Sequence, residues 1–591
     1  MSPNNVRTRA RKKQAALYIH EKNLPEARKL LEIICRIDRN DIPATIQLAN
    51  VCRHLGDLDT AEKYCQHAVK LAPDNAEATH CLGLIYLAQG RQNEALIAFK
   101  KSLQLEPRFA DAYNNAGNVL ATSNRPAEAA EFFRHALDLR PDSYEAHNNY
   151  GHALRALGMS EEAEQHFRMA VSLNPGNPNA LSNLLLCLNY IQTCTPTRLL
   201  QEHKEWANKF ASNTPRYTRH PNNIDRKRTL RIGYVSADFR RHPVSSFFMP
   251  ILENHDPDQF NITCYSQVHM HDETTDYLRS LSGDWRDIYN LADDKVAEII
   301  RDDSIDILVD LAGHTAGNRL MVFARKPAPI QITYLGYPCT TGLSTIDHLF
   351  TDRTIAPPGR SQFYTEQLAR LPAGFSCYYP PPGAPDIGPA PFLKNGYPTF
   401  GSLNMLGKLN KHVINLWSRV LKATPESRLL IFRKEMDNRL KADLVTRFKK
   451  NNISADRLIL ENSLPDGKHY LSIYDQIDIA LDTFPWNGHT TSCEALWMGI
   501  PVITLCGESH ASRTTASVLN MLDLSRLSAT SSESYIEAAM TLIRDQDFLI
   551  RLRKNLRDRM KQSPLCDGVK FTRSIEREYR RIWINWCTNR L

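Results

Sequence analysis

The sequence predicts a two-part fold, an α-helical repeat array followed by two α/β lobes. Three observations predict it. A 34-residue period runs through the first 175 residues. A polar, proline-bearing stretch without periodicity follows near residue 215. From Leu230 onward, short apolar strands alternate with helices.

The period comes first in the chain. Pro73, Pro107, Pro141 and Pro175 recur at a spacing of 34, as do Gly83, Gly117 and Gly151, the alanines 27, 61, 95, 129 and 163, and Phe99, Phe133 and Phe167. Small residues at helix contacts, an aromatic between them and a helix-stopping proline mark the tetratricopeptide repeat, two antiparallel helices per unit. Five units are expected, 6–39, 40–73, 74–107, 108–141 and 142–175, the first two degenerate. One helix pair cannot bury its apolar face, so the units stack into a superhelix with a concave wall. Asn115, Asn149 and Asn183 fall at equivalent positions of the first helices. A ladder of amides can hydrogen-bond an extended peptide through donor and acceptor alike, which makes these three candidate peptide-binding residues. Asparagine could also simply be tolerated there, and Cys81 interrupts the ladder one unit earlier.

Residues 1–175 are therefore assigned to repeats and 176–228 to a helical linker, with helices over 179–192 and 196–211. A first lobe is expected over 229–380, with strands at 230–236, 261–265, 305–311 and 331–335. The proline-rich stretch from Tyr378 to Pro391 marks an interlobe linker, 381–398. A second lobe over 399–591 takes strands at 399–403, 428–432, 458–460, 477–481 and 501–505, and the C-terminal helices. Two doubly wound sheets place a cleft between the carboxyl ends of their strands, where nucleotides bind.

Composition excludes several classes. The net charge of +8 is small for 591 residues, and five positive residues sit in Arg7–Lys13, read as a solvated, frayed end, so nucleic acid is not expected as a partner. No apolar run approaches the roughly 20 residues that span a bilayer, and the N-terminus lacks the apolar stretch of a secretory signal. Thirteen cysteines without a C-x-x-C pair suggest reduced thiols, a cytoplasmic setting and no zinc.

The most informative segment is LDTFPWNGHTT, Leu481–Thr491. A strand, a turn with Pro485, Asn487 and Gly488, then His489, Thr490 and Thr491 at a helix start is how an α/β protein holds a phosphate. The first helical amides lack intrahelical partners and the helix dipole favours an anion there. Glu494, one turn on, could accept hydrogen bonds from a ribose diol. An ordinary threonine-capped turn would read the same over this segment alone. Other candidates stand at strand ends: His242 in DFRRHPVSS, His314 in DLAGHTAGNRL, Lys408 in FGSLNMLGKLN and His469 in LPDGKHY. Neither D-x-D pattern, Asp57–Asp59 or Asp256–Asp258, ends a nucleotide-binding strand, and P-loop and G-x-S-x-G patterns are absent.

Long ordered blocks add a resemblance. RIGYVSADFRRHP, DILVDLAGHTAGNRL, ARKPAPIQITYLGYPCTTGL, the lysine block at 399–410, LDTFPWNGHTTSCEALWMGIP and GESHASR resemble family 41 glycosyltransferases, the protein O-GlcNAc transferases and SPINDLY proteins. The repeats ahead of them match that family's arrangement. The resemblance implies a GT-B fold and inverting, metal-independent transfer of GlcNAc from UDP-GlcNAc to Ser or Thr hydroxyls of proteins held by the repeats, with no cofactor. It implies Lys408 as the essential lysine, Thr490 and Thr491 as diphosphate contacts, His489 as a further nucleotide-sugar-binding residue, His469 near the nucleotide and Glu494 at the ribose. His242 stands where a catalytic histidine is considered, and His314 is a further sugar or acceptor contact. Four other readings stay open: fucosyl transfer from GDP-fucose, transfer from another UDP-sugar, a lipid or glycan acceptor, and a non-catalytic repeat scaffold.

Overall fold

The computed structural model describes residues 3–465 and 467–590. The chain divides into two compact units, Met1–Leu157 with Gln165–Asn174, and Gly158–Glu164 with Pro175–Leu591.

The first unit is built from helix pairs. Pro3–His20 packs with Leu24–Ile37, Ile42–His54 with Leu58–Leu71, Ala76–Ala88 with Gln92–Leu105, and Ala110–Thr122 with Pro126–Leu139. The pairing follows from the period. A Cβ on Gly83 or Gly117 would sit 2.6 Å from Cε1 of Phe99 or Phe133, and one on Gly151 would sit 2.9 Å from that of Phe167, so each aromatic fills the space a glycine leaves. The expected frayed end is instead the helix Pro3–His20, whose basic side chains are mostly exposed. Helix formation there fits the good helix formers of Arg9–Leu17.

The second unit holds both lobes. Seven parallel strands form the first sheet: β1 Leu230–Ser236, β2 Phe260–Ser266, β3 Asp284–Asp287, β4 Ile307–Asp310, β5 Ile330–Thr333, β6 His348–Thr351 and β7 Gln367–Arg370, in the order 3-2-1-4-5-6-7. Six more form the second: β8 Thr399–Ser402, β9 Arg428–Phe432, β10 Leu458–Glu461, β11 Ile479–Leu481, β12 Val502–Leu505 and β13 Ser528–Ala529, in the order 10-9-8-11-12-13. The order reverses between β1 and β4 and between β8 and β11, and ligands bind at such switch points. Strands β3, β6, β7 and β13 were not expected; they are short, and the Asp-Trp-Arg-Asp of β3 has no apolar run.

Two boundaries differ from the expected ones. The helices Pro178–Leu188 and Pro196–Phe210 are no free linker. His203 Nε2 lies 2.7 Å from the Tyr337 hydroxyl, Asn189 Nδ2 donates to it at 3.2 Å, and both helices pack on the first lobe. The last helix, Gly568–Thr588, expected in the second lobe, returns to the first. The Tyr579 and Tyr234 hydroxyls meet at 3.1 Å, and Glu576 accepts from Asp256 N at 2.8 Å. Its apolar face, with Phe571, Ile575, Tyr579 and Trp583 buried, finds cover there.

Candidate functional site

The turn after β11 is organised by one buried carboxylate. Asp482 Oδ1 accepts from Thr483 N at 2.9 Å and Gly488 N at 2.7 Å, and Oδ2 accepts from Thr504 Oγ1 at 2.7 Å. A Cβ on Gly488 would lie 2.4 Å from Ser492 Oγ and 2.7 Å from Thr491 Oγ1, so any larger residue there would have to displace these hydroxyls. His489 follows with φ +55°, a backbone that places Thr490 at the start of the helix Thr490–Trp497. The helix start that the sequence put forward for holding a phosphate is thus in place, with its first amides lacking intrahelical acceptors.

Lys408 meets the turn from the switch-point strand. It ends a short 3-10 helix after β8, is 9% exposed, and donates from Nζ to Asn487 O at 2.5 Å. Burial lowers its pKa to about 8, with Asp482 opposing the fall, so the ammonium persists at neutral pH. Thr491 Oγ1 donates to Asn404 Oδ1 at 2.9 Å, and Asn410 Nδ2 donates to Phe484 O at 2.8 Å, which ties the lysine block to the turn. The His489 ring stacks parallel on Phe247 at 4.0 Å, and its Nε2 lies 3.0 Å from Ser376 Oγ. Both partners come from the first lobe. Burial, with the Lys408 charge adding to it, pushes His489 down to about 3, so the ring is neutral.

Glu494 lies one turn along, where Tyr470 OH donates to its Oε1 at 2.6 Å. Burial raises this carboxyl to about 7, against the hydrogen bond and the charge of Arg433. His469 caps the 3-10 helix Tyr470–Gln476 by accepting from Leu471 N at Nδ1, 3.2 Å, and its ring is 4.8 Å from that of Tyr470. Together these residues form a second cluster, reached by the charge of Arg433 just after β9.

His242 caps the helix Pro243–Glu253, and Phe247 of the same helix is the residue that stacks on His489. The backbone N–H of Val244 donates to His242 Nδ1 at 3.3 Å, and Asp238 Oδ2 lies 3.5 Å from the same nitrogen. A backbone N–H can only donate, so the neutral ring in this arrangement carries its hydrogen on Nε2. Burial lowers the His242 pKa, and Asp238 counters part of the fall.

His314 is not brought to the cleft. It is 1% exposed, with Nδ1 3.0 Å from Ser182 Oγ and Nε2 2.9 Å from Thr341 O, and Trp206 packs edge-on at 4.8 Å. The linker helix that carries Ser182 covers it. In the repeat array, Asn115 Nδ2 reaches His80 Nε2 at 2.8 Å and Asn149 Nδ2 donates to Asn114 Oδ1 at 3.1 Å, so each half-buried amide already has a partner within the array. Asn183 is half-buried in the second unit.

Sequence reasoning missed Asn404, Asn410, Tyr470, Ser376, Phe247 and Arg433. Asn404 and Asn410 lie inside the lysine block, and Phe247 is five residues beyond His242, so proximity to those motifs was the available signal. Nothing in the sequence pairs Ser376 with His489.

The model of glycosyl transferase family 41 matches residues 209–378 and 393–575, and tetratricopeptide models match 41–106, 82–143 and 114–178. The chain is 41% identical over 414 residues to a probable UDP-N-acetylglucosamine peptide N-acetylglucosaminyltransferase SPINDLY of Solanum lycopersicum, covering 69% of this chain and 44% of that protein. It is 31% identical over 376 residues to the corresponding SEC protein of Arabidopsis thaliana, covering 61% and 38%. The chain thus spans less than half the length of these relatives. A solved structure of a lysine-to-methionine mutant of Thermobaculum terrenum O-GlcNAc transferase superposes with a TM-score of 0.78 at 35% identity, covering 93% of this chain and 98% of that one. With one family model matching 209–378 and 393–575, across both lobes and including the turn after β11, the chain belongs to glycosyltransferase family 41.

Proposed function

We propose that the protein is an inverting glycosyltransferase that moves GlcNAc from UDP-GlcNAc to Ser or Thr hydroxyls of proteins, with the repeats binding the acceptor. The observation that carries this reading is the convergence of Lys408 and the Thr490–Trp497 helix start on one turn at a topological switch point. The names of the relatives, peptide N-acetylglucosaminyltransferases and an O-GlcNAc transferase, support the sugar and the protein acceptor.

In the proposed reaction the acceptor oxygen attacks the anomeric carbon opposite the leaving UDP. One C–O bond forms as the bond to the β-phosphate breaks, and the configuration inverts. Charge then builds on the diphosphate, where the Lys408 ammonium and the helix amides oppose it without a metal ion. Glu494 receives the ribose diol, with His469 beside the nucleotide. His489, neutral and fixed by Phe247 and Ser376, keeps its Nδ1 for the donor. As it stands, His242 supplies an N–H at Nε2, which suits it to holding the donor. To take the acceptor's proton it must release Val244 N–H and turn an Nδ1–H toward Asp238.

Calorimetric titration with UDP and with GDP, with and without magnesium, tests the reading, with Lys408→Ala as control. Metal-free UDP binding, weakened in the variant and followed by GlcNAc transfer to a peptide, is the expected result. A GDP preference would move the proposal to fucosyl transfer, and absence of binding to either nucleotide would sink the enzyme reading.

A further inference from the structure

The phosphate turn carries a tryptophan that the chemistry above does not use. Trp486 is half-buried between Pro485 and Asn487, and Thr483 Oγ1 donates to its carbonyl at 2.9 Å, which fixes the backbone that carries the ring. The Lys408 ammonium sits over that ring, with Nζ 5.6 Å from the centroid. The Tyr190 ring packs against the same indole at 4.7 Å, tilted by 43°. Tyr190 is 7% exposed and follows the helix Pro178–Leu188, and its neighbour Asn189 is the residue that donates to the Tyr337 hydroxyl of the first lobe. The indole therefore has an anchored support on one side and the lysine on another.

Lys408 has need of such a neighbour. An ammonium has three N–H groups, and Asn487 O is the acceptor that the turn offers it. Asp482, after β11, favours the charge, whereas burial and Arg433, after β9, oppose it, and His489 beside it is neutral. A buried cation short of acceptors gains from the negative face of an indole, the best of the aromatic partners, and gains most where water is excluded.

We propose that Trp486 is a positioning residue for glycosyl transfer: its ring face, steadied by Tyr190, holds the Lys408 ammonium where the diphosphate charge develops. This rests on the reading of Lys408 as the cation that meets the diphosphate. The attraction exists only for the charged amine, so without it the proton leaves Lys408 at lower pH. Its signature is an alkaline limb of UDP affinity that moves toward neutrality. A ring that merely braced the turn would leave that limb in place.

The test is calorimetric titration of the full chain with UDP at about pH 6.5 and about pH 9, on either side of the lysine's titration. It compares the unmodified protein, Trp486→Leu, Trp486→Phe and a protein with ring-fluorinated tryptophan placed at 486 alone. Leucine keeps an apolar wall without a π face, and phenylalanine keeps a face. Fluorine drains the face of charge while keeping its shape, so a folding defect in Trp486→Leu leaves the question answerable. Asp482, Arg433 and His489 are the same in all four proteins. On the acid side the affinities should agree within about twofold, because Lys408 is charged in each. On the alkaline side Trp486→Leu and the fluorinated protein should bind UDP about fivefold more weakly than the unmodified chain, with most of the loss regained in Trp486→Phe. Equal affinities on both sides, or a loss by the same factor on both, would overturn the proposal and leave the transferase reading standing. A raised KM for UDP-GlcNAc with UDP affinity unmoved would put the ring on the donor sugar and overturn it too. Absence of UDP binding to the unmodified chain would remove the reading of Lys408, and the proposal with it.

Discussion

Lys408 is a cation held away from water with a backbone carbonyl as its hydrogen-bond partner, so its charge is poised for a ligand. Lys408→Ala is expected to lower kcat about a hundredfold or more, the usual cost of removing one charge stabiliser, read in a transfer assay. The two perturbed groups also set a pH window. Glu494, raised to about 7, must be ionised to accept from a diol at full strength, so donor affinity rises as pH passes that value. Lys408, lowered to about 8, loses its charge above that pH, and affinity falls again. Calorimetry from about pH 6 to 9 should give a bell, and Glu494→Gln should flatten only its acid limb. At this scale the turn was legible because Asp482 to Glu494 are neighbours in the chain. Tyr470 and Ser376 were not, because their partners lie across the fold and spacing carries no such distance. The placing of His314 was no more legible: a histidine after a strand reads the same whether its ring faces a cleft or, as here, lies under Ser182 and Trp206.

The repeat helices were the most legible elements, since one contact, glycine against phenylalanine, recurs with the period that reveals it. That contact is testable. Gly117→Ala would press its Cβ to 2.6 Å from Phe133 Cε1, and overpacking of this kind costs about 1–3 kcal/mol. Thermal unfolding followed by circular dichroism should show a lowered array transition, partly restored by Phe133→Leu, with UDP affinity unchanged. The strands were less legible. β9 and β12 announce themselves as mostly apolar runs, whereas β13 is two residues long and exists only because β12 offers it an edge.

At the scale of the whole molecule, alternation of strands and helices told of two sheets, but not that the final helix crosses back. Helical periodicity shows that Phe571, Ile575 and Tyr579 share a face, and is silent on which lobe receives it. Glu576→Ala removes the acceptor for His255 Nδ1 and Asp256 N and is expected to cost about 2 kcal/mol, seen as a lower urea midpoint. A chain stopped after Asp567 should fail to give a folded first lobe, judged by lost protease resistance of 229–380. The returning helix also sets the order of events on the ribosome. The first sheet is complete in sequence at Arg370, and its covering helix begins at Gly568, about 200 residues later. At ordinary translation speeds that is roughly 10–40 s in which the nascent lobe shows an apolar face with no cover. A holding chaperone would find its binding site there until Gly568–Thr588 has been made and packs.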